Sequence, residues 1–196
     1  MDAKTAIEFF NKMAPEWDRM QNPVYLARIG GHFVNINIKP GAKVADIGCG
    51  SGVLYPYIQN YKPSEIVCFD ISPQMLLELK KKYPAAHTVQ GNFEAFDCKK
   101  EYFDCILIFN TFPHFKHQAG AVKKVFEMLV GGGQFVIFHS LTREELARAH
   151  GEGKDITRDI LPSQSELKNM FLKAGFKNKN IVLQEDENGC FFSATK

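Results

Sequence analysis

Three glycines on a two-residue spacing, Gly48, Gly50 and Gly52, close the stretch Val44-Ala45-Asp46-Ile47-Gly48-Cys49-Gly50-Ser51-Gly52. An apolar run precedes them and apolar residues resume at Val53 and Leu54, so the pattern reads as a buried strand, a tight turn and the start of a helix. Glycine at such a turn takes positive φ and lets a ligand reach the backbone without meeting a Cβ. The unpaired N–H groups at the following helix start make an electropositive cradle. More polar groups stand where other apolar runs end: Asp70, 18 residues after Gly52; Asn92-Phe93 after Gly91; Asn110 before Thr111-Phe112-Pro113-His114; and His139-Ser140. An acid after the second strand is placed to accept hydrogen bonds from ribose hydroxyls, and an amide beside an aromatic can hold an adenine ring. The implied ligand is a nucleoside-bearing cofactor. The G-x-G-x-G spacing departs from the dinucleotide fingerprint G-x-G-x-x-G, and no phosphate-loop pattern occurs, which disfavours a nicotinamide oxidoreductase.

Histidine is the other chemically active type. His114, His117, His139 and His150 follow the fourth and fifth strands, His32 lies on an N-terminal helix, and His87 opens the third strand at the opposite end. Three readings stand side by side. They are solvated or helix-capping residues; or His114 or His139 is a general base; or His114, His139 and His150, with Glu144 or Glu145, hold a metal or metalloid, since imidazole suits zinc, copper, nickel and iron. Local spacing does not separate these readings, because no H-E-x-x-H occurs.

The elements that must position these residues follow from periodicity and punctuation. Ala3, Ala6, Ile7, Phe10 and Met13 predict a helix over 2–13, ended by Pro15, with Trp17 in a short polar stretch after it. Asn22-Pro23 starts a second helix running to about residue 36. Strands are expected at 43–47, 66–69, 86–90, 104–109 and 134–138, with helices at 53–60, from the Ser72-Pro73 cap, and at 118–129, the last broken by Gly131-Gly132-Gly133. Thr142 with Glu145, and Ser163 with Glu166, are capping boxes for two more helices, through about His150 and to about Gly175. Two strands at 178–185 and 190–195 form a hairpin around Asn188-Gly189. Alternating strands and helices mean an α/β fold, a mainly parallel sheet with helices on both faces. Ligands of such sheets bind outside the carboxyl ends of the strands, where the polar groups above collect. Residues 1–38 form an N-terminal helical addition, a lid or simple edge packing, before a core at 39–196, all in one domain.

Composition excludes several classes. Net charge is +2 with no basic block beyond Lys80-Lys81-Lys82 at a helix end, so no nucleic-acid partner is expected. Five cysteines, an odd number without a C-x-x-C pair, argue against a disulfide framework and for a reducing cytoplasm. No apolar run approaches a membrane span and no leader segment is visible.

Val-Ala-Asp-Ile-Gly-Cys-Gly-Ser-Gly followed by Phe-Asp-Ile-Ser resembles the first two motifs of class I S-adenosylmethionine-dependent methyltransferases. Phe-Asp-Cys-Ile-Leu-Ile-Phe-Asn and Leu-Val-Gly-Gly-Gly-Gln-Phe-Val-Ile resemble their later core strands. Phe10 to Asp18 is similar to the first helix of small-molecule members of the ubiquinone/menaquinone type. The resemblance implies a Rossmann-like three-layer sandwich of seven strands, order 3-2-1-4-5-7-6 with the last antiparallel. It implies that S-adenosylmethionine is the cofactor. Gly48, Gly50 and Gly52 would line its methionine part, Asp46 would orient its ammonium, and Asp70 would take the ribose hydroxyls. Ile71, Asn92 and Phe93 would hold the adenine, with Met75 added to the cofactor contacts and Asn110 near the transferring methyl. One departure is Asn92, where the family commonly has an acid. The acceptor would be a small molecule walled by Trp17 and Tyr25, whose alternative role is core packing. A non-catalytic cofactor-binding sensor or partner subunit is the competing function.

Overall fold

The computed structural model describes residues 2–146 and 161–196. Helix α1 (Ala3–Met13) is capped by Asp2, whose carboxylate accepts the Thr5 N–H. Helix α1 ends at Met13, as Pro15 predicts. The chain continues through a 3-10 turn (Ala14–Glu16) into a short α2 (Trp17–Met20), so Trp17 sits on a helix, because proline is tolerated in a first turn, where its missing N–H has no partner to lose. Helix α3 (Pro23–Phe33) starts at the expected Asn22 cap and stops three residues early.

Strands β1 (Lys43–Ile47), β2 (Glu65–Asp70), β3 (His87–Gln90), β4 (Phe103–Phe109), β5 (Leu129–His139), β6 (Ile181–Asp186) and β7 (Gly189–Thr195) form one sheet of order β3-β2-β1-β4-β5-β7-β6. The first five run parallel, and β7 is antiparallel to both neighbours. The order reverses between β1 and β4, the switch point at which open α/β sheets leave a crevice.

Helices α4 (Tyr55–Gln59), α5 (Pro73–Lys82), α6 (Gln118–Met128) and α7 (Gln164–Ala174) cover the two faces. Alternate strand residues point to opposite faces, and two cores result. Ala45, Ile47, Ile106 and Ile108 pack with α6 and α7; Val44, Leu107 and Phe138 pack with α3, α4 and α5.

Two expectations change. The glycine triplet does not precede β5 but lies inside it. Gly132 adopts φ +80, and a Cβ on Gly133 would lie 3.1 Å from the Phe103 carbonyl, so glycine lets the strand bend where its register to β4 shifts. The ladder is completed by the last residue, with the Lys196 N–H donating to the Gly133 carbonyl. The hairpin's two loop residues are Glu187 and Asn188, because Gly189 already pairs with Asp186. Both capping boxes form: Thr142 and Glu145 exchange backbone bonds with each other's side chains, and so do Ser163 and Glu166.

Candidate active site

A cavity of about 460 Å³ opens at the carboxyl ends of β1, β2, β3 and β4, within the range of small-molecule sites. Its floor is the turn after β1. Gly48, Gly50 and Gly52 have φ of +73, +53 and +90. Their reasons differ. A Cβ on Gly48 would overlap the Thr111 side chain, and one on Gly52 would lie 2.8 Å from Leu79 Cγ on α5. Gly48 and Gly50 line the cavity, whereas Gly52 turns away from it to let α5 approach. The Trp17 indole faces Gly50 across the opening, since a Cβ at Gly50 would lie 3.8 Å from its Nε1.

Asp70 at the end of β2 organises this turn. One carboxylate oxygen accepts the Gly50 N–H and the other the Ser72 N–H, both at 2.8 Å. Burial pushes its carboxyl up to about 6, against the lowering effect of those bonds. Asp46 on β1 does not reach the cavity wall. It shares a face with Val44, sits in register between Cys68 and Leu107, and is 1% exposed. Neither of its oxygens has a hydrogen-bond partner among the described residues. Burial, and then the charge of Asp70, push it up to about 8.

Ile71, Met75, Asn92 and Phe93 lie on the same side of the cavity. Phe93 is buried, edge-on to Phe69 and stacked with Phe115. The Asn92 side-chain oxygen accepts the Glu94 N–H at 3.0 Å. Asn110 lines the opposite side in the left-handed region, φ +51, which asparagine tolerates. Its amide bridges to Ser140, accepting the Ser140 N–H at 3.2 Å and donating toward Ser140 Oγ at 3.4 Å.

The remaining wall comes from the N-terminal helices and the turn after β4. Phe10, Trp17 and Gln21 face His114, Phe115, Lys116 and His117. Phe10 is edge-on to both Trp17 and His114, with ring centroids at 5.8 and 5.6 Å. These helices are fastened by polar contacts. Asn11 accepts from Ser72 Oγ at 2.7 Å and from the Gln74 N–H, and Asp18 accepts from Ser51 Oγ at 2.5 Å and from Lys82 at 2.6 Å.

Two expected residues stand elsewhere. Tyr25 is not on the wall; it lies one helical turn from Arg28, whose guanidinium covers its ring at 5.1 Å. Tyr25 falls on the same face of α3 as Ile29 and Phe33, four and eight residues on, but at the start of the helix and outside the cavity lining. His139 is 1% exposed, paired in register with Cys190, and does not line the cavity. His150 lies outside the described residues. Among the described residues no three His, Cys, Asp or Glu side chains gather as a metal site. His32 also faces away, its Nε2 3.0 Å from the Asn188 carbonyl and its ring stacked on Phe191. Periodicity did not point to Thr111, Gln21, Lys116 or the Arg28–Glu145 pair, in which Arg28 also donates to the Ser140 carbonyl. All depend on contacts distant in sequence.

Comparison with known proteins agrees with this geometry. Residues 45–137 match a methyltransferase-domain family. The chain is 25% identical over 146 residues to a malonyl-[acyl-carrier protein] O-methyltransferase of Enterobacter lignolyticus, covering 74% of this chain and 57% of that one. It is 26% identical over 145 residues to a ubiquinone/menaquinone biosynthesis C-methyltransferase of Wigglesworthia glossinidia brevipalpis, covering 66% and 57%. The chain thus spans little more than half the length of either curated relative. In fold it is similar to an S-adenosylmethionine-dependent methyltransferase of Thermotoga maritima described as a possible histamine N-methyltransferase, with TM-score 0.74, 20% identity, and 97% and 99% of the two chains covered.

Proposed function

We propose that this chain, a class I S-adenosylmethionine-dependent methyltransferase by its domain and fold, moves the cofactor's methyl group to a small acceptor held under α1 and α2. The observation that carries this reading is the cavity itself. Its β1–β3 side presents the glycine turn, Asp70, Ile71, Met75 and Asn92-Phe93, and its other side presents Phe10, Trp17 and His114. When bound, S-adenosylmethionine supplies a methyl on a sulfonium that is already activated toward nucleophiles.

The protein's tasks are binding and alignment. Asp70 has one backbone N–H on each oxygen, which leaves lone pairs for ribose hydroxyls. The Asn92 oxygen already serves Glu94, so adenine selection falls as much on Phe93. Where the acceptor must lose a proton, His114 is the base within the cavity, held by Phe10. Helices α1 and α2 act as a lid. The five cysteines are all unpaired, which supports a reducing compartment such as the cytoplasm, and no described helix is long and apolar enough to cross a membrane.

Titration calorimetry with S-adenosylmethionine and NADH, followed by turnover to S-adenosylhomocysteine over a panel of small O-, N- and C-nucleophiles, tests the reading. S-adenosylmethionine should bind and NADH should not. Asp70→Ala should weaken binding by about tenfold or more, because ribose hydroxyls and two backbone N–H groups lose an acceptor. Unchanged affinity in that variant would remove the cofactor placement, and binding without turnover on any acceptor would favour the non-catalytic alternative.

A further inference from the structure

The loop after β3 has an unusual support. The Lys124 ammonium, on α6, donates to three backbone carbonyls at once: Phe93 at 2.7 Å, Glu94 at 2.9 Å and Phe96 at 2.7 Å. An ammonium has three donors, and all three are used. The same nitrogen lies 5.3 Å from the Phe93 ring centroid. Three carbonyl dipoles converging on one point repel each other unless a cation sits between them. The loop's own turn has the Ala95 and Phe96 N–H groups on the Asn92 carbonyl, the Phe96 N–H also 3.4 Å from the Phe93 carbonyl, and the Glu94 N–H on the Asn92 side-chain oxygen. From its other side the Glu94 carboxylate accepts the N–H groups of Lys116 (3.1 Å) and His117 (2.5 Å), on the segment that also carries His114.

We propose that Lys124 is a positioning residue for the cofactor, its ammonium setting the backbone path that presents Asn92 and Phe93 to the cavity. This rests on the reading of that wall as the adenine side. Lys124 does not line the cavity; it acts through the loop. The cofactor binds only the clamped loop, so apparent affinity falls in proportion to the fraction of molecules in which the clamp is made. A lysine is required rather than any cation, because the guanidinium of arginine is a planar fork and cannot aim three donors at one convergence of carbonyls.

Full-length wild type, Lys124→Met, Lys124→Arg and Lys124→Ala are titrated calorimetrically with S-adenosylhomocysteine, the last with and without propylammonium. Amide hydrogen exchange is followed in parallel. Lys124→Met should bind about tenfold more weakly or worse, and Lys124→Arg, which keeps the charge, should still lose several-fold. Exchange should quicken at residues 92–97 and stay unchanged in the central strands. Propylammonium should recover part of the affinity of Lys124→Ala. Affinities within twofold of wild type in Lys124→Met and Lys124→Arg would overturn the proposal. So would faster exchange throughout the sheet with no amine rescue, which would make Lys124 a general stability residue. If wild type itself fails to bind S-adenosylhomocysteine, the cofactor reading falls and this proposal with it, an outcome distinct from normal wild-type binding with indifferent variants.

Discussion

Asp46 and Asp70 are two carboxylates on neighbouring strands, both buried, one with backbone N–H partners and one without. Their folded-state values, about 8 and about 6, lie above the ordinary aspartate value near 3.9. Between these limits the two carboxyls hold more protons in the folded protein than in the unfolded chain. The stability they contribute is therefore fully present below about pH 4 and is lost as pH rises toward 8. Urea unfolding at pH 5 and pH 8 should show this decline, and Asp46→Asn should shrink the difference by on the order of 2 kcal/mol. The same variant should be more stable than wild type at pH 8, because it removes a buried carboxyl that otherwise has to ionise there. An equal pH slope in both proteins would contradict the burial argument. Gly48 follows a different rule at the same scale, since its positive φ and the Thr111 side chain above it both forbid a Cβ.

Helices α1 and α2 are fastened by polar contacts at several points, beside the buried Ala6 and Ala14. Asp18 joins α2 to the glycine turn through Ser51 and to the end of α5 through Lys82, while Asn11 joins α1 to the start of α5 through Ser72 and Gln74. The Asp18–Lys82 pair is 54% and 36% exposed, so its own contribution is under about 1 kcal/mol. Asp18→Ala should accordingly leave global unfolding almost unmoved, while speeding amide exchange in residues 3–20 and raising the dissociation rate of S-adenosylhomocysteine in stopped-flow displacement. A global loss of stability matching the local one would show that these helices are part of the core instead. On the other side of the cavity, Lys124 fastens the loop after β3 in the same way.

Across the whole molecule, the two cores take no residue from the first 21 positions; their earliest member is Ile29 on α3. The two clusters form without α1 and α2, which bury Ala6 and, in the turn between them, Ala14, while the cavity draws Phe10, Trp17 and Gln21 from this segment. Deleting residues 2–21 should therefore leave a cooperative melt and the far-ultraviolet signature of the sheet, yet weaken S-adenosylhomocysteine binding by about tenfold or more, as one wall of an enclosed site is lost. A deletion protein that fails to fold would assign those helices to the fold, and one that binds normally would remove their role as a lid.

Much of this was legible beforehand because it depends on neighbours in sequence. Period-two and period-3.6 apolar patterns, proline at first helical positions and the two capping boxes act over a few residues. So the strand–helix alternation, the Ser72 and Ser163 caps and the collection of polar residues at one sheet edge could be read directly. The triplet Gly131-Gly132-Gly133 misled because a glycine run breaks a helix locally, while pairing with Phe103 and Lys196, distant in sequence, makes it strand. For Tyr25 and His139 the sequence sets only the helix or strand end; tertiary contacts settle the rest, with Arg28 over the Tyr25 ring and His139 covered at the β5–β7 pairing. The same holds for what was not seen. Thr111 against Gly48, Arg28 on Glu145 and Lys124 on three carbonyls join residues 63, 117 and about 30 positions apart. The chain by itself determined its elements, its cofactor-type turn and the edge where chemistry collects, since local sterics and periodicity set these. Only the tertiary structure decided which polar groups face the cavity, which are buried behind it, and which cation holds the loop after β3, because those are outcomes of burial and of contacts made when distant segments meet.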